Sequence, residues 1–400
     1  HMNKTILFLG DGMADEPLPE LDNRTPLEAA ATPNMDAIAA AGRSGTFLTL
    51  PEGFPTSSDV ANMSVLGYDL ATCYCGRGPL EALSQDIDLA ADDVAYRCNL
   101  VNVEDDVLID YSGGHIGADD ARRIMHDLAA EFNCAEYSFH SGVSYRNLLI
   151  LHGPQFTDAI DYAKPDASQD MAIAEIMPKP ADDSTAARTT CQTLIGLMQR
   201  TREFLAQHPV NQGRRTPANM IWPWSGGRTP ALPAFETRYG CRGAIISAVD
   251  VIFGLGRAAG MDLIRVPGAT GFVDTNYEGK ADAAVAALDD HDFVYVHVEA
   301  MDECGHMGDL ELKLSALEDF DRRVVGRVMQ ALEGREMTYV VLPDHPVPVK
   351  RRSHTRTPVP YAVCGPHIEA DAVTTYGETA AAGTGDALAG DGLMRLALGG

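Results

Sequence analysis

The chain has 400 residues, 45% of them hydrophobic and 22% charged, with a formal net charge of −26. These are ordinary globular proportions, enough for two domains or one large domain with an insertion, and no stretch approaches the ~20 apolar residues that span a bilayer. Such an acidic chain repels nucleic acid and anionic membranes, so neither is an expected partner, and a small anionic substrate needs a local positive site made of metal ions or arginines.

The first element is the apolar run Thr5 to Leu9, a short strand of the kind buried in a parallel sheet, ending at Gly10-Asp11-Gly12. Thr32-Pro33 reads as a helix start with Thr32 as N-cap and Pro33 in the first helical position. That helix runs to about Ala41, with Gly42 as its natural stop. From residue 76 to residue 240 the strands are shorter and the loops richer in Asp, Gly and Pro, with a linker-like Pro178 to Asp183 before a helix from Thr185 to Gln207. Strand and helix then alternate again. Gly243 to Ser247 is a strand, Val249 to Ala259 a helix, Phe293 to Val298 a strand, and Asp309 to Leu332 a long amphipathic helix. Met337 to Leu342 and Pro360 to Val363 are further strands. This order predicts an α/β fold: a mainly parallel sheet covered by helices on both faces, plus an inserted smaller α/β domain. Residues 1–75 and 241–400 form the discontinuous core in this reading, and 76–240 the insertion.

His1-Met2 reads as a cloning remnant, and the first apolar run is too short for a signal sequence. The eight cysteines are Cys73, Cys75, Cys98, Cys134, Cys191, Cys241, Cys304 and Cys364, with no CxxC pair among them. Reduced thiols in a cytoplasmic enzyme fit this spacing better than disulfides.

Three core strands run into potential metal ligands: Asp11 after the first, Asp302 and His306 after the strand at 293–298, and Asp344-His345 after the strand at 337–342. His354 follows nine residues after His345. Ligands of open α/β sheets bind at the carboxyl ends of strands. A single Asp there is usually a turn or cap residue, but carboxylates and imidazoles combined at successive strand ends suit Zn²⁺ or Mn²⁺. Ser58, in Pro55-Thr56-Ser57-Ser58-Asp59, stands just before a helix, where backbone N–H groups favour a phosphoryl group. Read alone, Ser57 or Ser58 is simply a helix cap.

Together these residues resemble the archaeal-type, cofactor-independent (2,3-bisphosphoglycerate-independent) phosphoglycerate mutases of the alkaline phosphatase superfamily. The resemblance rests on Gly10-Asp11-Gly12-Met13-Ala14-Asp15, Thr25-Pro26-Leu27-Glu28-Ala29-Ala30, Thr32-Pro33-Asn34-Met35-Asp36, Ser58-Asp59, Leu66-Gly67-Tyr68-Asp69 and Gly76-Arg77-Gly78-Pro79. It continues through His208-Pro209-Val210-Asn211, Pro217-Ala218-Asn219, Gly268-Ala269-Thr270-Gly271, Asp302-Glu303-Cys304-Gly305-His306, Asp344-His345 and His354. It implies a phosphotransferase that interconverts 3-phosphoglycerate and 2-phosphoglycerate through a phosphoserine on Ser58, with no need of 2,3-bisphosphoglycerate. It also implies two divalent ions, Mn²⁺ or Zn²⁺ with Mg²⁺ or Co²⁺ as further options. Asp11, Ser58, Asp344 and His345 would hold one, and Asp302, His306 and His354 the other. The insertion would close over the substrate and supply cations. Arg77, Arg97, Arg146, Arg214, Arg215 and Lys280 are the candidates, with His115 to hold phosphate or relay a proton.

Pro343 before the Asp344-His345 pair, the basic run Lys350-Arg351-Arg352 and the glycine-free loop Phe54 to Ser58 resemble a bacterial branch proposed to act as homoserine kinases. Homoserine kinase is therefore a second reading, although no Walker A sequence is present. A metal-dependent phosphomonoesterase is a third, and a non-catalytic metal-binding scaffold the alternative from another class.

Overall fold

A computed structural model describes residues 3–399 of the chain, so that His1 and Met2 lie outside the described residues. Ile6, Leu7, Phe8 and Leu9 are all fully buried. Successive strand residues point to opposite faces, so a run with no exposed member must be covered on both. That run belongs to β1 (Lys4–Gly10), one of eight strands in a single sheet with β2 (Arg43–Phe47), β3 (Gly243–Ser247), β4 (Asp262–Arg265), β5 (Phe293–Val298), β6 (Met337–Leu342), β7 (Val359–Cys364) and β8 (Ala387–Leu388). Their spatial order is β4-β3-β5-β1-β6-β7-β2-β8. The pairings from β4 to β6 and of β8 with β2 are parallel, while β7 runs antiparallel to both neighbours. The expected mainly parallel α/β sheet is what folds. No helix among the described residues is long and apolar enough to cross a membrane.

The chain divides into two compact units, one comprising His1–Tyr74 and Ala231–Gly400, the other Cys75–Pro230. Residues 231–240, read from the sequence as part of the insertion, pack instead on the core sheet. Phe235 stacks on Phe293 with ring centres 4.9 Å apart, and Tyr68 donates its hydroxyl to the Pro233 carbonyl at 2.8 Å. Unit two carries an antiparallel sheet in which Val94–Glu104 pairs with Val107–Asp110, Arg146–Leu151 and Met220–Gly227, and Tyr137–Val143 pairs with Arg146–Leu151. The helices Ala118–Phe132 and Thr185–Ala206 bury Ile124, Leu128, Leu194 and Leu197 in the apolar core of this unit.

Two helices of unit one differ from expectation in an instructive way. Helix α1 (Pro33–Ala41) begins after Thr32, but the Thr32 side chain makes no capping bond. Asp321, fully buried, caps it from another element, accepting from the Met35 amide at 2.7 Å and the Asn34 amide at 3.2 Å. Asp321 lies in the stretch Phe320–Gly326, which is wound as a π-helix between the α-helical stretches Leu310–Asp319 and Arg327–Ala331. The predicted long helix therefore forms with a wider turn in its middle. At the far end of α1, Gly42 stops the helix at φ −145° rather than in the left-handed form. Glycine is needed there for space, because a Cβ would sit 1.9 Å from the Val363 carbonyl oxygen.

Candidate metal centre and nucleophile

The site begins with register. β5, β1 and β6 are adjacent and end level with one another: Gly10 pairs with Val298, and Leu9 with Leu342. The three loops that follow therefore emerge side by side. The Asp11 amide continues the ladder by donating to the Val298 carbonyl at 2.9 Å. Gly12 then turns in the left-handed region at φ +66°, where a Cβ would lie 2.6 Å from the Asp302 backbone. Unit one also contains the helices α2 (Ser58–Val65), α3 (Asp250–Ala258), α4 (Tyr277–Ala287) and α5 (Ala300–Met307). Glycine at position 12 thus allows the first loop to rest directly on the start of α5.

On α5, Asp302 and His306 are four residues apart and so share a face. The Asp302 carboxylate lies 3.5 Å from His306 Nε2 and 3.2 Å from His354 Nε2. Asp11, Asp344 and His345 converge as a second group, with His345 Nε2 3.3 Å from Asp11 Oδ1 and 3.3 Å from Asp344 Oδ2. Ser58 Oγ stands 3.1 Å from the same His345 nitrogen. Among the groups of ligand atoms close enough to share an ion are Asp11, Asp344 and His345, and Asp302, His345 and His354; Asp302 also groups with Glu299 and Glu303. His306 adjoins the second, its Nε2 3.0 Å from His354 Nε2.

Ser58 is the first residue of α2, and Ser57 holds the cap position without a side-chain capping bond. The hydroxyl of Ser58 is thus directed into the cluster rather than spent on its helix. One turn on, Asn62 donates its amide to the Ser58 carbonyl at 2.8 Å and to Asp344 Oδ2 at 3.0 Å. The Tyr295 hydroxyl in turn donates to the Asn62 side-chain oxygen. Asp344 Oδ1 accepts the amides of Gly12 at 3.1 Å and His345 at 2.8 Å.

Each ligand histidine is oriented by a backbone carbonyl. Nδ1 of His306 faces the Arg352 carbonyl at 3.1 Å, that of His354 the Thr56 carbonyl at 2.9 Å, and that of His345 the Pro346 carbonyl at 3.3 Å. With Nδ1 donating to a carbonyl, each Nε2 is the atom that can present a lone pair to an ion once any proton on it has left, the arrangement that metal-binding imidazoles adopt.

Charge makes the same demand. Burial, followed by the nearby Asp344 and Asp302 carboxylates, holds the Asp11 carboxyl well above its usual range. Asp344 is pushed up to about 6 by burial first and by Asp302 next. Burial also drives Asp302 upward, but the hydrogen bonds from His306 and His354 outweigh it, and its carboxyl lies well below the ordinary range. Asp11 Oδ1 is buried with no hydrogen-bond partner. Crowded buried carboxylates with a bare oxygen, facing imidazole Nε2 atoms, fit divalent cations that take mixed oxygen and nitrogen donors.

The hydrogen bond to Asp302 raises the His306 imidazole to about 9 in the metal-free protein. His306 therefore keeps its proton at neutral pH, and an ion must displace it. Apparent metal affinity is expected to fall at least about tenfold per pH unit on descending from 9. Calorimetry at pH 7 in buffers of different ionisation heat should register release of at least about one proton, since the raised carboxyls of Asp11 and Asp344 give up any proton they hold as well; heats identical across buffers would contradict this.

The anion-contact candidates distribute differently. In unit two, Arg97 is nearly buried, ion-paired to Glu81 at 3.0 Å and stacked 4.3 Å over the Trp224 ring, with Arg77 3.6 Å from the same glutamate. Burial, then the positive charges of Arg77 and Arg146, brings Arg97 down to about 10. His115 closes a turn built on Asp110, with φ +50°. Arg214 donates to the Gly113 carbonyl at 3.1 Å, and Arg215 is exposed. Lys280 does not belong with these residues. It lies in unit one, fully buried, and its ammonium donates to the His297 carbonyl at 2.9 Å, so it anchors a strand instead of facing solvent anions.

The sequence reading passed over His297, Asn62 and Tyr295. Only their strand or helix neighbours reveal them, except that a histidine inside the apolar run Phe293 to Val298 is itself a signal.

Comparison with known proteins bears on what such a centre does. Residues 39–211 match the family model described as 2,3-bisphosphoglycerate-independent phosphoglycerate mutase. A protein of that name from Methanosarcina acetivorans is 46% identical over 366 residues, covering 90% of each chain. A solved protein from Pyrococcus horikoshii superposes with a TM-score of 0.84 at 27% identity, over 100% of this chain and 97% of its own. The cofactor-independent phosphoglycerate mutase from Thermoplasma acidophilum gives 0.69 at 29% identity over 99% of both chains. Nothing in these matches supports the homoserine kinase reading.

Proposed function

Because the chain belongs to the family of 2,3-bisphosphoglycerate-independent phosphoglycerate mutases, we propose that it interconverts 3-phosphoglycerate and 2-phosphoglycerate, with Ser58 carrying the phosphoryl group between the two oxygens. Asp11, Ser58, Asp344 and His345 hold one divalent ion in this reading, and Asp302, His306 and His354 the other. The observation that supports it most is the 3.1 Å approach of the Ser58 hydroxyl to His345 Nε2 inside a cluster of seven candidate ligands.

Ions of the Mn²⁺ or Zn²⁺ type, when bound, lower the hydroxyl pKa and offset charge on the phosphoryl oxygens. The protein's own groups do the rest. The start of α2 directs amides towards Ser58, a favourable place for a phosphoryl group. In the first half-reaction the Ser58 oxygen bonds to phosphorus as the bond to O3 of the substrate breaks; Ser58 loses a proton and O3 gains one. In the second, O2 takes the phosphoryl group, losing its proton as Ser58 recovers one. The substrate's carboxylate requires cations of its own in so acidic a chain, and the Arg77–Arg97–Arg146 group, with His115, Arg214 and Arg215, is assigned that recognition. The cysteine spacing, with no CxxC pair, supports a reducing, cytoplasmic setting.

The test is phosphorus NMR of the purified protein with 3-phosphoglycerate and no bisphosphoglycerate. We expect 2-phosphoglycerate to accumulate to equilibrium, EDTA to stop the reaction and Mn²⁺ or Zn²⁺ to restore it. Inorganic phosphate as the sole product would replace the mutase with a phosphomonoesterase. Unchanged turnover in verified metal-free protein would remove the metal centre.

A further inference from the structure

We infer that His297 is a positioning residue for this centre: it grips one oxygen of the Asp11 carboxylate and so leaves the other for an ion. The inference rests on the reading of Asp11 as a metal ligand and adds a group that none of the preceding assignments includes.

His297 is fully buried in β5, one strand away from β1. Leu9 is its register partner on that side. Asp11, two residues further and just past the end of β1, continues the ladder through its amide to the Val298 carbonyl and so falls on the same face. On the other side Ile246 pairs with Val296, which sets Ser247 at the level of His297. The contacts follow from this register. His297 Nε2 lies 2.8 Å from Asp11 Oδ2, and Nδ1 lies 3.0 Å from Ser247 Oγ. Ser247 Oγ also accepts the Val249 amide at 3.0 Å.

The proton directions in this relay follow once an ion holds Asp11 in its ionised form. A carboxylate only accepts, so Nε2 then carries the hydrogen and donates it to Asp11. Nδ1 of the neutral ring is then an acceptor, and the Ser247 hydroxyl proton goes to it. The Val249 amide can only donate, and it fills a lone pair on Ser247 without competing for that proton. A backbone amide at the start of α3 thereby fixes a hydroxyl, the hydroxyl fixes a tautomer, and the tautomer fixes a carboxylate. Lys280 holds the backbone at the same point through the His297 carbonyl.

The result is an asymmetric carboxylate. Asp11 Oδ2 is occupied by His297, while Oδ1 is buried, has no hydrogen-bond partner and sits 3.3 Å from His345 Nε2. A ligand with one oxygen tied and one bare cannot rotate to offer both, so it meets an ion through a single oxygen at a set place. Groups that orient metal ligands in this way contribute on the order of 10–100-fold to metal affinity.

Mn²⁺ titrations of the chelator-stripped full chain, with free Mn²⁺ followed by electron spin resonance, test this in wild type, Asp11→Asn, His297→Leu, His297→Gln and Ser247→Ala. Wild type should bind two ions and Asp11→Asn should lose one. In His297→Leu one ion should bind about 10–100-fold more weakly and the other normally. Glutamine can place an N–H near the position of Nε2, so His297→Gln should recover most of the loss, and Ser247→Ala should show a smaller defect at the same ion. If His297→Leu binds both ions as wild type does while Asp11→Asn loses one, the positioning role is wrong and the metal reading stands. Equal weakening of both ions in His297→Leu, or in Ser247→Ala should the leucine variant not fold, would mean a general packing role and also overturn it. Two ions of wild-type affinity in Asp11→Asn would instead remove the metal assignment itself.

Discussion

Ser58→Ala should lower kcat/KM for 3-phosphoglycerate by a factor on the order of 10⁴–10⁶, the loss seen when a nucleophile that works as part of a unit is deleted. The variant should keep its fold. Ser58 is not the N-cap of its helix, a place Ser57 holds, and its hydroxyl faces His345 instead; a substitution that removes no cap and leaves no cavity typically changes stability by less than about 0.5 kcal/mol. Asp302, His306 and His354 touch one another without it, so the ion assigned to them should still bind. Acid-quenched incubation with substrate labelled in the phosphoryl group separates the roles further: wild type should carry label on protein, and the alanine variant none. A variant that turns over normally, or that still takes label at the same position, would transfer the nucleophile's role to another group.

The fold was largely readable because its strands are apolar runs between glycine- and proline-marked turns, and because the alternation with helices returns after residue 241. The strand-end ligands were readable for a related reason: each follows its strand within a few residues, so sequence distance and spatial distance agree. His297, Ser247 and Asn62 act across strands or onto a remote loop, with partners 282 to 286 residues away for Asn62–Asp344 and His297–Asp11. Only the register of the sheet brings those together. Lys280 shows the converse error. Its charge suggested a substrate contact, but Tyr277, Lys280, Ala281 and Ala284 repeat at the spacing of one helix face, and that face of α4 is buried. Periodicity outranks charge there, and the lysine finds a carbonyl inside. Thr32 was the right residue to precede a helix, yet its capping function had passed to Asp321, which no local pattern could disclose.

The largest stability effect is expected from Lys313→Met. The Lys313 and Asp15 side chains are both wholly inaccessible and lie 2.9 Å apart. The ammonium also donates to the Val347 carbonyl at 2.9 Å and the Ala14 carbonyl at 3.3 Å, while Asp15 Oδ2 accepts the Val349 amide at 3.1 Å. One buried cation thus joins the loop that carries Asp11 to the loop that carries Asp344 and His345. Methionine approximates the length of the lysine but leaves an uncompensated carboxylate and the Val347 carbonyl in the interior, the Ala14 carbonyl still accepting the Val347 amide at 3.1 Å, and about 3–5 kcal/mol of destabilisation is expected. Urea unfolding of the metal-free protein measures it. The double variant Asp15→Leu with Lys313→Met removes both charges, and because paired removal is often close to neutral, it should be more stable than Lys313→Met alone. If the single variant unfolds at the wild-type urea concentration, or if the double variant is the less stable of the two, the pair does not hold the loops. The same cycle bears on the metal centre, since loosening either loop separates ligands that now approach within 3.3 Å; Lys313→Met should weaken both ions, in contrast to the one-ion defect expected for His297→Leu.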